Sequence, residues 1–132
     1  MKTALIYYTA HKTGYCETAL RGAVLTQGVD IDGIVAAVSP QNFGDSINNC
    51  LNKYDTLFVI GDTSRNDSAG IMPVLSCGLN EKNVKAGKLQ AGGNTGYLLE
   101  LDNKKIVVLP DQPEAITALA SAQLIEYLKT EK

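Results

Sequence analysis

The chain has no tryptophan, a single histidine, two phenylalanines, four prolines and three cysteines. Each scarcity excludes something. His11 is the only histidine, and Cys16, Cys50 and Cys77 are far apart and outside any CxxC arrangement. A His/Cys zinc site and a secreted disulfide framework therefore both lack their parts. The thiols read as free, buried or half-buried cysteines of a reducing cytoplasm, which is the expected location. No apolar run approaches the roughly 20 residues that span a bilayer, and no basic segment leads into an apolar one at the start, so neither a membrane partner nor a signal peptide is expected. Charge of one sign is also missing. Twelve Lys and Arg face 14 Asp and Glu, a net charge of −2, with no basic block. Nucleic acid and anionic membrane surfaces are poor partners for such a chain.

What is present is an ordinary globular composition, 45% apolar and 20% charged, over 132 residues. That is one domain, 1–132, large enough for a core without metal or disulfide staples. Thr3 to Tyr8 is a short apolar and aromatic run that reads as a buried strand, ending in a loop from Thr9 to Gly14. Cys16, Ala19, Leu20, Ala23 and Val24 then mark one face of a helix, with Gly28 placed to end it. A β-branched strand over Ile31–Val38 stops at Ser39-Pro40. Ile47, Cys50, Leu51 and Tyr54 follow helical spacing, which predicts a helix over 42–53. Thr56 to Ile60 is the most apolar strand and is expected at the centre. After it comes Gly61 to Ser68, eight polar or small residues, and then a short helix over 72–77 with Pro73 in its first turn.

The polar segment Asn80 to Thr95 reads as a surface loop. Tyr97–Leu101 and Lys105–Leu109 flank Asp102-Asn103-Lys104 as a hairpin. A long final helix carries Ile116, Leu119, Ala120, Gln123, Leu124, Tyr127 and Leu128 on one face. Asp111 and Glu114 have capping-box spacing before it, and Pro113 suits its first position. The predicted fold class is α/β: a three-layer α/β/α domain around a mostly parallel sheet of about five strands, with one antiparallel strand from the C-terminal hairpin.

In such sheets ligands bind beyond the carboxyl ends of the strands. Three polar loops leave those ends: Thr9–Gly14, Gly61–Ser68 and Pro110–Pro113. Each leads into a helix N-terminus, where backbone N–H groups and the dipole favour anions. The same residues also cap helices in ordinary turns, so the case for a site rests on the three loops converging. His11 reads as an exposed loop histidine, Lys82, Lys85 and Lys88 as a solvated face, and Tyr97 either as a ring to stack on or as packing.

At these residues the chain resembles the molybdopterin-binding domain of molybdenum cofactor biosynthesis proteins, and most nearly the amino-terminal domain of the competence-damage-inducible A proteins. Asn42 to Asp55 is similar to the family helix before the central strand. Leu57 to Ser64 stands where the family has a strand followed by Gly-Gly-Thr-Gly. Gly96-Tyr97-Leu98-Leu99-Glu100 and Lys105 to Pro110 resemble its closing hairpin, and Pro110-Asp111-Gln112-Pro113 its Pro-Gly-x-Pro loop. The resemblance implies a ligand site of Gly61, Asp62, Thr63, Ser64, Asp67, Pro110 and Asp111, for molybdopterin or a related pterin or nucleotide, and the converging loop after the first strand adds Thr9. The resemblance also implies assembly of copies into dimers or trimers. Gly61 and Thr63 are retained, while Asp62 and Asp111 replace glycines and Ser64 replaces the last member of the loop.

Glycine serves where backbone must approach an anion. A carboxylate there repels phosphate by about 3 kcal/mol at ~5 Å and an effective dielectric of 20. An acidic pocket of Asp62, Asp67 and Asp111 would suit Mg²⁺ with the phosphate better than phosphate alone. Any chemistry implied is phosphoryl or nucleotidyl transfer or pyrophosphate hydrolysis, with Asp67 as the catalytic candidate. Two alternatives stay open. One is a non-catalytic assembly or regulatory subunit with a degenerate pocket. The other is a flavodoxin-like FMN-binding protein, because Tyr7 to Tyr15 resembles a flavodoxin phosphate loop with altered spacing.

Overall fold

The computed structural model describes residues 2–8, 10, 13–63, 70–78, 84–101 and 104–130. The chain runs β1 (Thr3–Tyr8), α1 (Thr13–Leu25), β2 (Gly33–Ala37), α2 (Pro40–Leu51), β3 (Thr56–Gly61), α3 (Ile71–Gly78), β4 (Lys85–Ala91), β5 (Asn94–Leu101), β6 (Lys104–Pro110), α4 (Pro113–Leu119) and α5 (Ala122–Thr130). One sheet has the order β2-β1-β3-β6-β5-β4. β2, β1, β3 and β6 pair in parallel, and β5 is antiparallel to both β6 and β4. Five strands therefore run one way and β5 alone runs against them.

β1 and β3 are buried along their whole length because helices cover both of their faces. Leu5, Tyr7, Phe58 and Ile60 join α1, α4 and α5 in one core layer. Ala4, Ile6, Tyr8, Leu57 and Val59 join α2 and α3 in the other. This is the expected three-layer α/β/α arrangement. Tyr8, the last residue of β1, stacks flat on Phe43 of α2, with centroids 4.4 Å apart. Such a pair contributes about 0.5–1.5 kcal/mol beyond its burial.

Several helix ends follow from local chemistry. Ser39 caps α2 by accepting from Asn42 N–H, and Pro40 begins the helix. α1 ends in a Schellman turn. Gly28 N–H donates to Leu25 and Val29 N–H to Val24, with Gly28 at φ 78.

The structure corrects three expectations. The segment 80–95 is not all loop: Lys85–Ala91 is a sixth strand, joined to a longer β5 through Gly92-Gly93, both at positive φ. The final helix is two helices, α4 and α5, broken at Ala120-Ser121, where Ser121 Oγ accepts from Leu124 N–H. Asp111 does not cap α4. The N-cap is Gln112, which makes no side-chain cap bond.

The amino edge of the sheet is closed by polar side chains. Lys105 is buried, with Nζ 5.5 Å from the centroid of the Tyr127 ring on α5. The Tyr127 hydroxyl donates to Oε1 of Glu100 at 3.0 Å, and Glu100 is the cross-strand partner of Lys105.

A Cβ at Gly28 or at Gly22 would meet nothing within 4 Å, so substitution by alanine tests backbone conformation alone. Gly28→Ala is expected to destabilise by about 1–2 kcal/mol, and Gly22→Ala, inside α1, to stabilise by about 0.5–1 kcal/mol. Urea unfolding with an unchanged slope checks both.

Candidate functional site

The chain leaves β1 for α1 on one face of the sheet and reaches β3 through α2 on the other. β2 and β3 lie on opposite sides of β1, so the winding reverses between β1 and β3. Crevices open beyond the strands' carboxyl ends at such a reversal. Here the ends are level. Tyr8 is the register partner of Gly61, and Gly61 of Pro110. Adjacent strands lie about 4.7–4.9 Å apart, so the three loops of interest leave neighbouring strands at one height.

Gly61 is fixed by packing. A Cβ there would overlap the Tyr8 carbonyl oxygen and stand 2.8 Å from Cδ1 of Ile71. The glycine lets β1, β3 and α3 close together at the rim. Asp62 follows it and is exposed, and Thr63 is half-buried. Pro110 and Asp111 occupy the matching places after β6, both half-buried. Gln112 N–H turns back to the Pro110 carbonyl at 2.8 Å, which bends the chain sharply into α4. The carboxylates expected to share a hollow, Asp62 and Asp111, thus each follow one member of the Gly61–Pro110 pair. Thr9, Ser64 and Asp67, and also His11 and Lys82, lie outside the described residues. Among the described residues no three His, Cys, Asp or Glu side chains stand together as a metal-binding group.

Asp111 has a partner that the sequence did not announce. The Cys16 thiol donates to its Oδ1 at 3.4 Å. Cys16 lies in the first turns of α1 and is fully buried. The bond ties the loop after β6 to the helix after β1, across the end of β3. Below it Tyr7 is buried. Its phenol is held well above the 10.0 of an ordinary tyrosine, first by burial. The neighbouring Glu17, Cys16 and Asp111 raise it further and Arg21 opposes them. Arg21 binds Glu17 at 2.9 Å and Asp30 at 3.1 Å. The only sequence signal for Cys16 is its place on the apolar stripe of α1, which gives its burial but not a partner 95 residues away.

No protein-family model and no curated protein matches this sequence. Solved structures do. The protein CinA of unknown function from Thermoplasma acidophilum aligns with a TM-score of 0.65 at 12% identity, over 98% of this chain and 96% of that one. MogA aligns at 0.65 and 15% identity, over 98% and 99%. The molybdopterin biosynthesis protein MoeA from Pyrococcus horikosii aligns at 0.60 and 16%, over 99% of this chain and 36% of its own. The chain has the fold of CinA and MogA, and of the aligned part of MoeA, as its hairpin and loop patterns led one to expect. Identity this low speaks to the fold alone.

Two outcomes follow from this geometry. Gly61→Ala is expected to destabilise by about 1–3 kcal/mol through overpacking against backbone, read by urea unfolding. Tyr7 keeps its proton in the folded state at a pH where the unfolded chain loses it. Its stability contribution is therefore intact below pH 10.0 and declines as pH rises above it. The buried Cys50 thiol, also raised by burial, acts in the same direction from 9.0 upward. Tyr7→Phe should flatten the alkaline loss above pH 10.0 and leave the Cys50 part, measured by denaturant unfolding across pH 8–12.

Proposed function

We propose that this domain, built like CinA, MoeA and MogA, binds a small phosphate-bearing ligand of the pterin or nucleotide class at the rim of β1, β3 and β6. The observation that carries the reading is the level row Tyr8–Gly61–Pro110 at the reversal of the sheet. It supports the reading because three strands end level where α/β sheets place ligands. The ligand would lie between the loop after Gly61 and the turn at Pro110-Asp111. Thr9, Thr63 and Ser64 supply hydroxyls to its phosphate, and Pro110 closes one wall.

The donor set decides the role of metal. Asp62 and Asp111 offer hard carboxylate oxygens, the kind Mg²⁺ takes, and Mg²⁺ commonly binds through one or two carboxylates plus a substrate phosphate. Asp62, Asp67 and Asp111 are assigned to it. Bound there, the ion would neutralise the repulsion between the pocket and the phosphate. Cys16 holds Asp111 from behind through Oδ1 and so restricts how the carboxylate can turn. The reaction class that suits such a rim is phosphoryl or nucleotidyl transfer or pyrophosphate hydrolysis, in which positioning and electrostatics do most of the work. Asp67 is the residue assigned to orient the nucleophile. Copies of the domain are proposed to assemble as dimers or trimers, to be read by light scattering.

Thermal shift with a reduced pterin phosphate, nucleoside diphosphates and FMN, each with and without Mg²⁺, tests the reading. Stabilisation of about 2.7 kcal/mol is expected at a hundredfold excess over Kd, for a pterin or nucleotide and chiefly with Mg²⁺. Asp62→Gly should let the phosphate ligand bind without the metal. A flat response to every ligand, or metal-independent binding that Asp62→Gly leaves unchanged, would remove the site. A response to FMN alone would favour a flavin protein.

A further inference from the structure

We infer that the β4 edge of the sheet is a docking site for an extended segment of another protein, one that alternates apolar and acidic side chains. The inference is independent of the ligand site at the rim. Among the described residues β4 pairs with β5 only and ends the sheet. Lys85, Ala86, Gly87 and Lys88 are all exposed among the described residues. Alanine and glycine have almost no side chain, so their exposure is exposure of main-chain groups able to pair with an added strand.

Beside this edge, on the α4/α5 face, lies an open groove of about 570 Å³. Leu89 and Ala91 of β4, Leu98 of β5, Leu119, Leu124 and Tyr127 provide its apolar surface. α4 packs against β4 as well as β5, yet leaves Lys85 to Lys88 exposed. Leu89 and Ala91 face it only in part buried, packed against that core layer. A strand added to β4 would present every second side chain to the mouth of this groove. Its other side chains would lie on the opposite face, with Lys88, whose position alternates with that of Leu89. Lys85, four residues before Leu89, lies on the groove face and opposite Glu100 of β5. Lys88 gives that opposite face a positive group, although the chain as a whole carries −2. Apolar residues on one face and carboxylates on the other complete both surfaces.

A second copy of this chain fits poorly. β4 runs from Lys85 to Ala91, so Lys88 is its midpoint. Full antiparallel pairing of two β4 strands would set Lys88 opposite Lys88, and like charges directly opposite are destabilising.

The test is an NMR titration of the full chain with the capped peptide Val-Glu-Val-Glu-Val-Glu. Amide shifts are expected over residues 85–91 together with side-chain shifts at Leu98 and Leu124. The same peptide N-methylated at every residue, which keeps the side chains and deletes the donors, should not bind. A Val-Lys peptide should bind about tenfold more weakly. The variant Lys88→Glu should reverse that preference while melting at the wild-type temperature. The inference is overturned if the Val-Glu peptide leaves β4 unperturbed at millimolar concentration, or if the N-methylated peptide or the Val-Lys peptide binds as well. It is equally overturned if light scattering shows a dimer whose β4 amides are shielded before any peptide is added, which would assign the edge to a second copy.

Discussion

The close parallel pairing of β1, β3 and β6 governs the rest of this molecule. Tyr8, Gly61 and Pro110 form one row, and at its centre the Tyr8 carbonyl and Ile71 leave no room for a Cβ on Gly61. Because the row is level, the chain segments leaving all three strands start at the same height. Because the winding reverses between β1 and β3, those segments part toward opposite faces. Open α/β sheets place their crevices beyond the strand ends at such a reversal. The stack of Tyr8 on Phe43 then fixes the floor on the α2 side.

The opposite side of the same rim is organised by a buried polar contact. Cys16 and Asp111 join α1 to the turn into α4, with Tyr7 beneath them in an environment that keeps its phenol protonated. α4 begins at Pro113, and its N-cap, Gln112, makes no side-chain cap bond. The Cys16 bond also limits how the Asp111 carboxylate can turn.

The two ends of the sheet divide the labour. At the amino end, Lys105, Glu100 and Tyr127 fasten α5 to the hairpin, a buried cation being tolerated where an aromatic face and a carboxylate neighbour surround it. The carboxyl end is left for loops. The lateral edge at β4 belongs to neither: among the described residues no further strand pairs with it.

The sequence alone determined the elements whose two faces are both buried or cleanly amphipathic. β1 and β3 are unbroken apolar runs, α2 carries its cap and its stripe, and the fold class and the three rim loops follow from their order. β4 was illegible because Lys-Ala-Gly-Lys-Leu-Gln-Ala has neither an apolar run nor alternation; an edge strand half-covered on one face needs neither, and its pairing with β5 makes it a strand. The break between α4 and α5 was hidden because one apolar stripe runs through both helices. Asp111 stood at capping-box spacing, yet a thiol 95 residues away claimed its Oδ1. Local patterns report what a segment buries. Partners brought together across the sheet depend on register and layer packing, and only the tertiary structure sets those.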